Sequence, residues 1–183
     1  MSDEKQVKAQ LLNFFHKIVG KFKNDIIVKM DYVVPTYFNI NPSNLEPYAR
    51  DGQKESKYLM DFCIGTKVGE EIMPGLCIQV YNNLPRDMNS IHSVISSLKS
   101  KHPQARYGML LTHCDSIPQT VLSPTASYMQ NIDFIEALKP VLNSDKLYVT
   151  LESLVDVQLR SSRIISETVF NEGNVRSLRK TYS

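Results

Sequence analysis

Two apolar, β-prone runs, Lys57 to Lys67 and Gly75 to Asn82, flank a short VGEEIMP connection, and this pairing restricts the fold more than any other feature of the chain. Runs of that kind joined by a short turn read as a hairpin. Asn83 to Pro85 breaks the second run, and Met88, Ile91, Ile95 and Leu98 then recur at helical spacing, with Asp87 or Asn83 near the helix start. Tyr107 to Thr112 is nearly all apolar, which suits a central strand covered on both faces. A hairpin followed by a helical crossover to another strand predicts a mixed sheet with helices on both faces.

The flanking segments extend this frame. Val7, Leu11, Phe14, Phe15, Ile18, Val19 and Phe22 give residues 3 to 23 one wide apolar helical face, and Asp3 and Glu4 lie where the helix dipole favours carboxylates. Asn24-Asp25 stops that helix, Ile26 to Val34 is β-rich, and Pro35 ends the strand or places it at an edge. Pro35, Pro42, Pro47 and Asp51-Gly52 punctuate a long loop that holds a short strand near Tyr37 to Ile40. Ile132, Ile135, Leu138 and Val141 predict a helix from Asn131 to Leu142, Leu147 to Val149 a short strand, and Thr150 a cap for a last helix to about Ser162. The expected order is α-β-β-β-α-β-α-β-α in one three-layer α/β domain over residues 1–165. Residues 166–183 are weakly patterned and read as a loose or partner-bound tail.

Composition sets outer limits. The chain has 183 residues, 42% hydrophobic and 22% charged, as a single soluble globular domain would. A formal charge of +2 and a pI near 8.4 exclude a strong electrostatic footprint for nucleic acid or acidic membranes, though local patches remain able to meet phosphates. Cys63, Cys77 and Cys114 are odd in number and irregular in spacing, which predicts reduced thiols rather than a disulfide framework. The apolar stretches reach only about half the ~20 residues of a bilayer span, and the polar MSDEKQVKAQ start lacks a signal-peptide core. The expectation is a cytoplasmic protein with no membrane partner.

The hairpin also concentrates chemistry. Side chains two residues apart on a strand share a face, so Asp61 is expected beside Cys63, and Gln79 beside Cys77 and Tyr81. Pairing through the 69–74 turn brings Asp61 close to Gln79. A strand carboxylate next to a second acidic group, with a lysine one pleat further on, is a way to hold Mg²⁺ against a scissile phosphate and activate water.

Here the chain resembles the PD-(D/E)xK nuclease superfamily, and more narrowly the nuclease domain at the N-terminus of type I restriction-enzyme restriction subunits. The resemblance rests on the helix DEKQVKAQLLNFFHKIV, the strand DIIVKMDYVV, the Asp-bearing strand KYLMDFCIG, the strand Cys77-Ile78-Gln79-Val80-Tyr81, the helix after it and the strand ARYGMLLTH, roughly residues 3 to 113. It implies an α-β-β-β-α-β core, Mg²⁺ or Mn²⁺ as cofactor where the domain is active, and Asp61 as the metal-binding aspartate, with Glu4 as the first-helix acid of some relatives. Gln79 then stands where the family has Glu, and Tyr81 where it has Lys. Gln brings no charge to a metal, and Tyr, with a pKa near 10, cannot replace an ammonium beside phosphate. The Gln-Tyr pair of those relatives' crossover helix is also missing from SIHSVISSLKSK.

The expectation is therefore a restriction-endonuclease-like domain without catalysis, acting in nucleic-acid binding or in assembly of a defence or mobile-element system. Its partners would be DNA, RNA, a protein or a second copy. The rival readings are an active nuclease with a rearranged site using Asp61, Glu4 and either Glu70 or Asp51, and a protein-interaction module unrelated to nucleic acid. Lys99, Lys101 and Arg106, with His102 beside them, are the candidate phosphate contacts, and Arg160, Arg163, Arg176, Arg179 and Lys180 make the C-terminus basic. A zinc site on Cys63, Cys77, His113 and Cys114 lacks CxxC or HxxxH spacing, and His113-Cys114-Asp115 would need a distant base to act as a nucleophile.

Overall fold

The computed structural model describes residues 3–22, 25–35, 37–40, 43, 47–50, 58–123, 130–142 and 144–167. Helix α1 spans Asp3–Val19, and the strands β1 (Ile26–Val34), β2 (Tyr37–Ile40), β3 (Pro47–Arg50), β4 (Tyr58–Val68) and β5 (Glu71–Tyr81) follow. Helix α2 (Met88–Lys101), strands β6 (Arg106–Leu111) and β7 (Phe134–Ala137) and helix α3 (Lys146–Glu167) complete the order. Five strands form one mixed sheet in the order β1-β4-β5-β6-β7, and β2 and β3 form a separate ribbon. β1, β4 and β5 pair antiparallel, whereas β6 and β7 continue the sheet in parallel. The fold is α/β with three layers.

Each layer follows from which residues the helices bury. Leu11, Phe15 and Ile18 of α1 and Leu147, Leu151, Val155 and Leu159 of α3 pack with Phe62, Ile64, Leu76, Ile78 and Leu110 on one face of the sheet. Met88, Ile95 and Leu98 of α2 pack with Cys63, Cys77, Tyr107 and Met109 on the other. Asp87 caps α2 by accepting from the Ser90 amide at 3.1 Å, and the His102 N–H closes it by donating to Leu98 O at 2.9 Å just before Pro103.

Two glycines admit backbone or ring where a Cβ would collide. Gly65 sits at a register shift in β4, where a Cβ would lie 2.1 Å from Met73 O. The hairpin bends there and its tip returns to β1: the Tyr32 hydroxyl donates to Glu71 and accepts from the Ile72 amide. At Gly108 a Cβ would fall 2.0 Å from the Phe134 ring, so β7 can lie against β6 only because β6 lacks a side chain there.

A second irregularity matters more for the site. Val28 packs with the α1/α3 side but Tyr32 and Val34 with the α2 side, and Phe62 and Met60 divide in the same way. Regular alternation would keep each set on one face. The alternation resets at Asp31, whose φ of 48° is left-handed, and at Asp61, which stands across from it between the bridged pairs Met30↔Phe62 and Tyr32↔Met60.

Three sequence expectations are overturned. Residues 131–142 are not a helix: Phe134–Ala137 is strand β7, and residues 139–142 are turn. Asp133 N donates to Tyr107 O at 2.7 Å and Leu138 N to Leu111 O at 2.8 Å, so the parallel ladder uses the amides that a helix would have needed. Pro140, which disfavours helix at Lys139, was the local sign. Leu147 to Val149 is not a strand and Thr150 is not a cap; both lie inside α3, where burial at every fourth residue outweighs the β-prone side chains. Strand β3 fell within the expected loop. No helix among the described residues is long and apolar enough to cross a membrane.

Candidate functional site

The hairpin carries Asp61 and Gln79 to the end where β4 and β5 part. Bridging stops at Phe62↔Ile78, so Asp61 and Gln79 are the next, unbridged positions. The freed Val80 amide donates to Asp61 Oδ2 at 2.7 Å. Asp61 Oδ1 accepts from Lys8 Nζ at 2.5 Å, an ion pair reaching from α1 with side chains only 18% and 20% exposed. Cys63, by contrast, is sealed in the α2-side core, so the expectation that Asp61 and Cys63 share a face is corrected; the alternation reset turns the aspartate toward α1.

The other two positions occupy each other. The Tyr81 hydroxyl donates to Gln79 Oε1 at 2.9 Å. Burial, and secondarily the Asp61 charge, push the Tyr81 hydroxyl's pKa up, so it remains a neutral donor. Sequence reasoning missed Lys8, because nothing set it apart from Lys5 or Lys17 on the polar side of the same helix. Glu4 lies one turn before Lys8 on α1, and its side chain is outside the described residues, as is Asp51.

A divalent cation needs oxygen ligands that are free to face it and enough negative charge to displace its water. Both Asp61 oxygens already accept hydrogen bonds, one from an ammonium, and the Gln79 carbonyl accepts from Tyr81. Among the described residues, no three His, Cys, Asp or Glu side chains are grouped to hold a metal. Glu70 is exposed in the turn between β4 and β5, where its backbone oxygen accepts from Lys29. The described donor set therefore does not fit Mg²⁺ or Mn²⁺. What it can do is hold α1, β4 and β5 together through one partly buried ion pair.

The expected phosphate contacts are drawn inward. Lys99 Nζ and Arg106 Nη1 both reach Asp133 at 2.9 Å, and Arg106 Nη2 also donates to Ser161 Oγ at 2.6 Å. Lys101 lies 5.3 Å from the centre of the Tyr58 ring, and His102 is buried with Nε2 2.7 Å from Pro35 O. A carbonyl accepts, so Nε2 must carry the proton. Arg160 pairs with Asp156 at 2.8 Å; the Arg163 side chain and residues 176, 179 and 180 lie outside the described residues.

The thiols divide between core and surface. Cys63 and Cys77 are cross-strand partners in the buried α2-side core. His113, Cys114 and Asp115 turn to three different partners: Thr112 at 2.9 Å, Asn83 at 3.8 Å and Lys139 at 2.7 Å. No protein-family model matches the chain, and no curated protein matches it.

Proposed function

We propose that this chain is a restriction-endonuclease-like domain of the PD-(D/E)xK type that has given up metal-dependent cleavage and acts by binding nucleic acid or by assembly within a defence or mobile-element system. The order α1-β1-β4-β5-α2-β6, with β2 and β3 inserted, supports the first part, as does the place of Asp61 and Gln79 at the first unbridged positions where β4 and β5 part. The observation that carries the loss of cleavage is the Lys8–Asp61 ion pair. An ammonium stands against the carboxylate that a metal would need, and the positions that would add Glu and Lys hold Gln79 and Tyr81.

The test incubates the protein with plasmid, single-stranded DNA and RNA in Mg²⁺ or Mn²⁺, alongside binding titrations at several salt concentrations. Binding that weakens steeply with salt, without cleavage, is the expected result. Cleavage that disappears in Asp61→Ala would overturn the reading. Absence of both binding and cleavage would remove nucleic acid and leave assembly.

A further inference from the structure

Cys63, Cys77 and Tyr107 stand in one row across β4, β5 and β6: Cys63 is the register partner of Cys77, and Cys77 of Tyr107. All three belong to the α2-side core and are at most 1% exposed. The two thiols therefore oppose each other on one face of the sheet, and neither is in a disulfide. A single buried cysteine is ordinary core. Two that are directly opposed across an antiparallel pair have a reaction open to them that scattered ones do not.

The ladder around the pair leaves room for that reaction. Opposed residues of an antiparallel pair hold their Cβ atoms about 4.5–5.5 Å apart, and a disulfide needs about 3.5–4.5 Å, so an approach of about 1 Å closes the gap. Between the register shift at Ile64/Gly65 and the parting of the strands, β4 and β5 keep only the bridged pairs Phe62↔Ile78, Cys63↔Cys77 and Ile64↔Leu76. The thiols occupy the middle pair. A ladder interrupted on both sides adjusts more easily than one held along its whole length.

The surroundings of the row select the oxidant. Burial, ahead of Cys63 opposite it, pushes the Cys77 thiol's pKa well up, so the resting pair is two neutral thiols. A bulky, charged disulfide has no way into a core this closed, whereas hydrogen peroxide is small and uncharged. The row also holds a polar group for it: the Tyr107 hydroxyl is buried and has no hydrogen-bond partner among the described residues. Buried hydroxyls are nearly always bonded, so a small polar molecule that enters gains a bond there.

We propose that Cys63 and Cys77 form a reversible disulfide under hydrogen peroxide, and that this bond locks β4 to β5 beside the point where the strands part. One sulfur attacks a peroxide oxygen, the O–O bond breaks, and a sulfenic acid and one water result. The other sulfur then displaces the sulfenic oxygen as a second water, so two thiols and one peroxide give one disulfide and two waters. Val80, whose amide donates to Asp61, lies on β5 just beyond Cys77, so the bond stiffens the strand that carries that amide. The test treats the reduced, folded full chain with peroxide, in the wild type and in Cys114→Ser. The intact mass of Cys114→Ser is expected to fall by two hydrogens. Lys67 lies between the two cysteines, so their tryptic peptides should stay joined until dithiothreitol separates them. Oxidation should raise the urea midpoint and slow hydrogen exchange at the Val80 amide severalfold, and Cys77→Ala should show neither change. Free thiols that persist for hours in excess peroxide would overturn the proposal, as would their conversion to sulfinic acid. So would a bond that forms only in urea, or one that leaves Val80 exchange unchanged.

Discussion

Asp61 and Asp133 solve one problem in two parts of the sheet. Each accepts a hydrogen bond from the amide of a neighbouring strand, Val80 for Asp61 and Tyr107 for Asp133. Each also meets a cation from a helix, Lys8 of α1 or Lys99 of α2. The difference lies in what else arrives. Asp133 takes a second cation, Arg106, which in turn holds Ser161 of α3, so this one carboxylate fastens three elements. Asp61 takes one cation and stands beside Gln79 and Tyr81, at the position where the resemblance expects a metal. An aspartate that takes a strand amide and a helix cation is thus ordinary architecture in this molecule.

The comparison can be broken first at Asp133. Asp133→Ala strands two partly buried cations and the Tyr107 amide together, and is expected to cost about 3–5 kcal/mol in urea unfolding. Asp61→Ala removes one ion pair and leaves the Val80 amide without its acceptor; about 1–3 kcal/mol is expected by the same measurement. A loss at Asp61 equal to that at Asp133 would mean that Asp61 is an equally committed fastener. A sharper comparison comes from converting the site. Lys8→Ala combined with Gln79→Glu removes the resident cation and adds one carboxylate to that of Asp61, so calorimetry should detect tighter Mn²⁺ binding than in the wild type.

The smallest effect is pH-dependent. Burial, more than the neighbouring Lys101, holds the His102 pKa down against the opposing pull of its bond to Pro35 O. The folded state thus favours neutral imidazole and the unfolded state binds the proton more readily. This contribution is complete above the ordinary histidine pKa near 6.5 and is lost as pH falls through the lower folded value. Melting temperature should therefore drop below about pH 6.5 by more in the wild type than in His102→Gln.

How much of this was legible depends on range. The hairpin, α2 and the all-apolar β6 were readable because their signals are local and dense: 11-residue strands, a capped helix, an apolar run. Residues 131–142 misled because Ile132, Ile135 and Leu138 fit a helical stripe, while the strand they join is set by distant Tyr107 and Leu111. The antiparallel pairing of β4 with β5 could be read because its register needs only the turn. Lys8 could not, since its partner lies 53 residues away and no composition marks it. Nor does the sequence announce the change of face at Asp31, where a non-glycine residue adopts a left-handed backbone.

That change of face has a mechanical consequence. With regular alternation, the carboxylate of β4 would belong to the layer that holds α2, the helix that links β5 to β6. Turned the other way, it is paired with Lys8 of α1, at the point where two strands separate. One carboxylate thus ties the first helix of the chain to the amide of the strand beyond the gap, so Lys8 and Val80 are held by the same two oxygens.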